Sequence, residues 1–231
     1  MGDEHRGWSE DRLHRWLAEQ DWPVGLAGSR GHDAAVLPGG EGRDALCADQ
    51  CVEGVHFEAA ADPRAAGAKA VLRTISDLAA AAARPRAVTL AVRAPADRDE
   101  GWLRAVILGA RAAARTQGAE LVAGDLTQGE GPASLVVTAL GAVAAEGRPV
   151  GRDRARPGQS VILTGPVGGS LARGRHLAPT PRIEEARALA AAGATALMDV
   201  SDGLALDLFR IARASGVRIE LDVARVPVHE D

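Results

Sequence analysis

Hydrophobic and polar positions along the chain change period several times, and each change marks an element. Leu13, Trp16 and Leu17 recur at helical spacing after Ser9, a natural N-cap, so 9–20 is predicted helical. The apolar runs 34–37 and 45–51, divided by the turn cluster Pro38-Gly39-Gly40-Glu41-Gly42, read as paired strands. Asp62-Pro63 opens a helix: a capping carboxylate is followed by a proline whose missing N–H is harmless at the first helical position. That helix is expected to reach about Ala83 and to stop before Pro85. Residues 88–92 alternate as a strand. Asp97 or Asp99 caps a further helix that runs to about Gln117 and ends at Gly118. A short strand is expected over 120–123, and a long one, rich in Val, Leu and Thr, over 134–143.

The polar, arginine-rich stretch 147–158 carries two prolines and reads as a domain boundary, dividing the chain into 1–147 and 148–231. Beyond it, a strand over 160–164 leads into Gly165-Pro166-Val167-Gly168-Gly169-Ser170. Helices over 183–192 and 203–215 alternate with strands over 196–200 and 217–223. Alternation in both parts predicts an α/β or α+β fold. The apolar centres of 86–93 and 133–145 lack edge-protecting charge, so the first domain is expected to pair with a second copy.

Composition narrows the function classes. The 231 residues are 46% hydrophobic and 25% charged, enough for a core. A net charge of −4 argues against sequence-independent nucleic-acid binding, which needs a basic face. No run of 18 apolar residues suggests a membrane helix, and residues 1–10 are too charged for a signal peptide, so a cytoplasmic protein is expected. Lys69 is the only lysine, so a mechanism that needs a lysine near phosphate has a single candidate. No Gly-Lys-Ser/Thr occurs, which excludes a Walker A loop. Cys47 and Cys51 lack partners at zinc spacing and read as reduced thiols.

The unusual feature is a series of aspartates at the ends of apolar segments: His32-Asp33, Ala48-Asp49, Ser76-Asp77, Gly124-Asp125 and Asp199-Val200-Ser201-Asp202-Gly203. One such residue reads as a cap or a turn. Asp77 does not, because it interrupts the apolar run 75–83 inside a predicted helix. Carboxylates collected from separate segments are what Mg²⁺ takes when it is shared with substrate phosphates. Asp33, Asp49, Asp77 and Asp125 are therefore expected to line one cleft. The glycine-rich 165–170 turn and the arginines Arg148, Arg152, Arg154 and Arg156 suit an anion, or equally a plain turn and a solvated linker.

Taken in order, these segments resemble the thiamine-monophosphate kinase family, which belongs to the superfamily of aminoimidazole ribonucleotide synthetases. The resemblance rests on Gly31-His32-Asp33-Ala34-Ala35-Val36-Leu37, Asp49 with Glu53-Gly54-Val55-His56-Phe57, Ser76-Asp77-Leu78-Ala79-Ala80, Gly124-Asp125, residues 152–158, Leu163-Thr164-Gly165, Pro179-Thr180-Pro181-Arg182 and Asp199-Val200-Ser201-Asp202-Gly203-Leu204. It implies an N-terminal sheet-and-helix domain that forms a homodimer and an incomplete C-terminal α/β domain. It also implies ATP-dependent phosphorylation of thiamine monophosphate to thiamine diphosphate with Mg²⁺. By position, Asp33, Asp49, Asp77, Asp125, Asp199 and Asp202 match the family's magnesium ligands. Cys47 and Ala48 fall where the family has a hydroxyl pair near metal and nucleotide. Gly124, Asp125, Arg152 and Ser201 match ATP contacts, and His56 matches a substrate contact. Phosphoryl transfer needs positioning and charge stabilisation more than covalent help, so an aspartate-rich, lysine-poor site is chemically sufficient. Where the family pattern has hydroxyls, this chain has Cys47-Ala48-Asp49-Gln50 and Asp125-Leu126. A non-catalytic dimeric relative and a kinase or synthetase with another acceptor remain as alternative readings.

Overall fold

The computed structural model describes the backbone of residues 35–38 and all of residues 42–144 and 149–229. The helix expected over 9–20 and the predicted ligand Asp33 lie outside them. Strand β1 (Ala35–Pro38) pairs antiparallel with β2 (Arg43–Val52), as the turn cluster between them predicts. Helix α1 (Pro63–Ala80) leads to β3 (Arg84–Ala94), helix α2 (Glu100–Thr116) to β4 (Glu120–Gln128), and β5 (Ser134–Val143) follows. The five strands order as β1-β2-β5-β3-β4. Strands β3 and β4 pair in parallel, and α2 supplies the crossover that parallel pairing needs.

Local chemistry sets the helix ends. The Asp62 carboxylate accepts the Arg64 N–H at 3.1 Å, and Asp99 accepts from Trp102 N–H at 2.7 Å. Helix α1 stops short of the expected Ala83 because Ala82 turns left-handed, with φ 52°. Ala82 and Ala83 then donate back to the carbonyls of Ala79 and Leu78 at 2.8 and 2.9 Å, closing the helix.

Both helices cover one face of the sheet. Cys47 and Cys51 of β2, Leu90 of β3 and Leu135 and Val137 of β5 are buried against Val71, Ile75 and Leu78 of α1 and Val106 of α2. The helices cross where each has a glycine. A Cβ on Gly67 would lie 2.1 Å from the Val106 carbonyl oxygen, and one on Gly109 would lie 2.0 Å from that of Arg64. The other sheet face is open, and Leu46 and Val136 are exposed on it.

The C-terminal part holds helices α3 (Ile183–Ala191) and α4 (Leu204–Ser215) and a 3₁₀ turn, Arg175–Leu177. The strands predicted over 160–164, 196–200 and 217–223 do not form a ladder. Only single bridges, Gly151–Ala196 and Val167–Val228, join extended segments there. A strand is defined by its neighbour, and an apolar run without one remains an extended segment. These segments and α4 surround an open apolar trough of about 1150 Å³, lined by Ile162, Leu197, Leu208 and Ile211 among others.

Candidate functional site

Asp49 lies near the end of β2 on its helix-covered face, because side chains alternate along a strand and Cys47 and Cys51 point the same way. Its carboxylate pairs with Arg73 of α1 at 2.5 Å. Arg73 and Asp77 are one helical turn apart on the same face of α1, so Asp77 is presented beside this pair. Ser76 adds a third link: its hydroxyl donates to the Asp199 carboxylate at 2.8 Å. Three segments distant in sequence thus bring Asp49, Asp77 and Asp199 to one side of α1.

The turn after Asp199 is shaped from below by Asp207, which is only 3% exposed. Its Oδ2 accepts the N–H groups of Ser201 and Asp202 at 3.0 and 3.1 Å, and its Oδ1 accepts from Arg210 at 2.8 Å. Arg210 also pairs with the more exposed Asp202 at 2.5 Å. Burial works against the Arg210 charge, but the hydrogen bonds and charges of Asp202 and Asp207 outweigh it and hold its pKa above the ordinary value. Asp202 is therefore neutralised by the Arg210 guanidinium.

His56 sits in the tight turn after β2. Its ring Nδ1 accepts the Val52 N–H at 3.0 Å, and its main-chain N–H donates to the Val52 carbonyl at 2.7 Å. Burial pushes its pKa below the usual histidine value, and Arg73 and Lys69 push the same way.

The family models for AIR synthase related protein match this chain twice: the N-terminal domain over residues 31–143 and the C-terminal domain over 156–231. The thiamine-monophosphate kinase of Mycobacterium tuberculosis is 36% identical over 238 residues, covering 96% of this chain and 70% of that protein. The chain belongs to the thiamine-monophosphate kinase family. Among solved structures, AaThiL complexed with AMPPCP and TMP matches with a TM-score of 0.82 at 30% identity, covering 94% of this chain and 72% of the other. The thiamine-monophosphate kinase of Stenotrophomonas maltophilia matches at 33% identity with a TM-score of 0.74, covering 95% and 75%.

Not every position expected from the family pattern joins the cluster. Asp125 is exposed on β4, opposite Ala91, which lies opposite Val136, itself opposite Gln50. That row lies on the open sheet face, whereas Asp49 lies in the row of Val137 and Leu90 on the covered face. Three strand spacings, about 14 Å, also separate β4 from β2. The expectation that Asp125 and Asp49 line one cleft of a single chain is therefore corrected. Cys47 is corrected as well: its thiol is buried under α1 and donates to the Thr74 carbonyl at 3.2 Å. Ala48 points to the opposite, open face and offers no ligating atom on its side chain. Gly124 has a packing reason to be glycine, since a Cβ there would lie 2.3 Å from the Leu90 carbonyl oxygen.

Arg152 follows the Gly151–Ala196 bridge, so it runs beside the segment that ends in Asp199, and its carbonyl accepts the Ser215 hydroxyl at 2.9 Å. Ser201 and Asp202 are exposed on the turn that Asp207 holds. Sequence reasoning missed Arg73, Asp207 and Arg210. The signal for Asp207 was an acidic residue in the first turn of a helix entered from an aspartate-rich loop, a position that usually caps backbone N–H groups.

Proposed function

We propose that this chain phosphorylates thiamine monophosphate to thiamine diphosphate with ATP, in the cytoplasm, at the side of α1 that carries Asp77. The observation that carries this reading is the junction of Ser76-Asp77 with Asp199, 123 residues away from Ser76, by a direct hydrogen bond. The names of the relatives and the AMPPCP and TMP bound by AaThiL support the substrates.

The donor set fits Mg²⁺. Asp49, Asp77, Asp199 and Asp202 offer hard carboxylate oxygens, while the soft donors on the same face of β2, Cys47 and Cys51, are buried in the core. Among the described residues no group of three or more His, Cys, Asp or Glu could hold a metal ion by itself. Magnesium is commonly held by one or two carboxylates plus substrate phosphates, which agrees with carboxylates carried on separate elements. When bound, it neutralises charge on the transferring phosphoryl group. Asp33 and Asp125 stay in the proposed ligand set only by their position in the family pattern.

The chain's own residues do the positioning. Arg73 fixes Asp49, Ser76 fixes Asp199, and Asp207 fixes the turn that bears Ser201 and Asp202. Arg152 and Ser201 serve the nucleotide, and His56 serves the acceptor. An oxygen of the acceptor phosphate forms the new P–O bond to the γ-phosphorus as the bond to the bridging oxygen of ADP breaks. No covalent enzyme intermediate is needed. The open sheet face, with Leu46 and Val136 exposed, is read as the homodimer surface, and Asp125 on that face would be carried into the interface.

The test is ADP release with Mg²⁺ and ATP, with and without thiamine monophosphate, with the product identified by mass. Thiamine diphosphate formed in step with ADP supports the reading. ADP release with no thiamine diphosphate indicates another acceptor, and no ADP release indicates a non-catalytic relative.

A further inference from the structure

The turn that leaves β2, Glu53-Gly54-Val55-His56-Phe57, is exposed at its tip and held at its base. Val55 is 75% exposed, whereas Phe57 is buried in the core. The Gly54 N–H donates to the Phe57 carbonyl at 2.8 Å, and the Glu53 N–H donates to the Ala133 carbonyl at 2.9 Å. The Glu53 carboxylate then engages two distant segments. Its Oε2 accepts the Ala133 N–H at 2.9 Å, and its Oε1 accepts from the Arg98 guanidinium. Ala133 immediately precedes β5, and Arg98 immediately precedes Asp99, the N-cap of α2. One side chain thus ties the turn to the start of a strand and the start of a helix.

Arg98 is itself held. Its guanidinium carbon lies 5.3 Å from the centroid of the Trp102 ring, and its Nε is buried with no hydrogen-bond partner among the described residues. The Arg98 and Glu53 side chains are only 22% and 10% exposed. An ion pair so withdrawn from water contributes little net stability, because desolvation offsets the attraction, and a buried N–H without an acceptor adds to the cost. What the arrangement supplies is orientation: each carboxylate oxygen has its own donor, and the guanidinium rests over an aromatic ring. The same turn carries His56, on whose ring the charges of Arg73 and Asp49 act. Its tip therefore borders the carboxylates beside α1.

We propose that the Glu53–Arg98 pair, with Trp102 as the platform of the guanidinium, positions the turn 53–57 for the acceptor. Both are positioning residues that act through the turn and do not touch substrate. The proposal rests on the reading in which this turn serves thiamine monophosphate.

Arg98→Met and Glu53→Gln test it, with Arg98→Lys as the variant that keeps the charge. Either of the first two should raise the KM for thiamine monophosphate about fivefold or more and leave the KM for ATP within about twofold. Arg98→Lys should lie closer to the wild type than Arg98→Met. In the free protein, exchange of the Gly54 and His56 amide hydrogens should quicken about tenfold or more in both variants, while that of Val137 in the sheet stays within about twofold. Unchanged exchange at Gly54 and His56 shows that the turn holds without the pair and overturns the proposal. An unchanged KM for thiamine monophosphate, or an equal rise for both substrates, overturns it as well. Should the wild type make no thiamine diphosphate, the kinase reading fails, and the exchange rates still decide whether the pair holds the turn. Glu53→Gln has both readouts of its own if Arg98→Met does not fold.

Discussion

Ser76 and Asp199 are joined by a 2.8 Å hydrogen bond from the serine hydroxyl to the aspartate carboxylate. Ser76 lies in the helix that covers the N-terminal sheet, and Asp199 lies on the turn that Asp207 holds. The bond ties the carboxylates carried beside α1 to those of the turn that follows Asp199. Ser76→Ala should therefore cost more in activity than in stability. Unfolding free energy should fall by about 1–2 kcal/mol, the range for a bond to a charged acceptor that is partly solvated. Turnover should fall roughly tenfold, because Asp199 loses its anchor. Urea denaturation and steady-state kinetics on the same preparation check both. A variant with full turnover would show that Asp199 needs no such anchor.

Asp77 sits in a helix interior, where its carboxylate has no helix end to cap. Asp77→Asn keeps its shape and removes its charge. Turnover should fall by about two orders of magnitude or more, as expected for a lost contact to a catalytic metal. Melting without metal should be unchanged or slightly higher, because repulsion among neighbouring carboxylates is relieved. The rise in Tm produced by Mg·ATP should shrink. Earlier melting with a full Mg·ATP response would remove Asp77 from the site.

The N-terminal half was legible because its signals are local. Asp62-Pro63 starts α1, Asp99 starts α2, Gly118 follows α2 with φ 74°, and the run 134–143 coincides with β5. Pairing partners are not local, so the runs over 160–164 and 217–223 carry the pattern of strands and yet are extended segments. The face on which Asp125 lies is hidden in the sequence for a related reason. The β3–β4 register shifts between Val88 and Thr89, and a one-residue shift moves a side chain to the other face of a sheet. Nothing in Gly124-Asp125 reveals that shift. Cys47 shares the covered face of β2 with Asp49 but lies deeper under α1, a difference in depth that a motif position does not carry.

The α1–α2 crossing depends on the absence of two side chains. Gly67→Ala would set a methyl 2.1 Å from the Val106 carbonyl oxygen, and Gly109→Ala one at 2.0 Å from that of Arg64. Both contacts are with backbone, so the helices must move apart. Each substitution should destabilise by about 1–3 kcal/mol or more, despite the better helix propensity of alanine. Thermal melting checks this, and an unchanged Tm would mean that the crossing can widen freely.

Asp207→Asn tests the turn from beneath. One face of the carboxylate takes two N–H groups and the other takes a guanidinium, so both oxygens accept only. An amide must aim its NH₂ at one set of donors. The loss should be about 2–4 kcal/mol, the scale of a buried charge interaction broken on one side. Asp207→Glu, which keeps the charge but misplaces it, should recover part of the stability and little of the activity. Full stability of Asp207→Asn would show that Arg210 and the turn hold together without it.

The last prediction concerns acid. Burial, Arg73 and Lys69 lower the His56 pKa from its ordinary 6.5, while Asp49 opposes them. The unfolded chain therefore takes up a proton near pH 6.5 that the folded chain resists. More protons bound in the unfolded state means that stability rises with pH in this window. The contribution is complete above pH 6.5 and is lost as the pH falls from there toward the lower folded pKa. His176, shifted in the same direction, adds to the loss. Urea midpoints should thus drop between pH 7.5 and 5.5. His56→Asn keeps an acceptor for the Val52 N–H and removes the titration, so its midpoint should drop less over the same interval. Equal slopes in the two proteins would show that His56 is as easily protonated folded as unfolded, and that the ring is not held neutral by its surroundings.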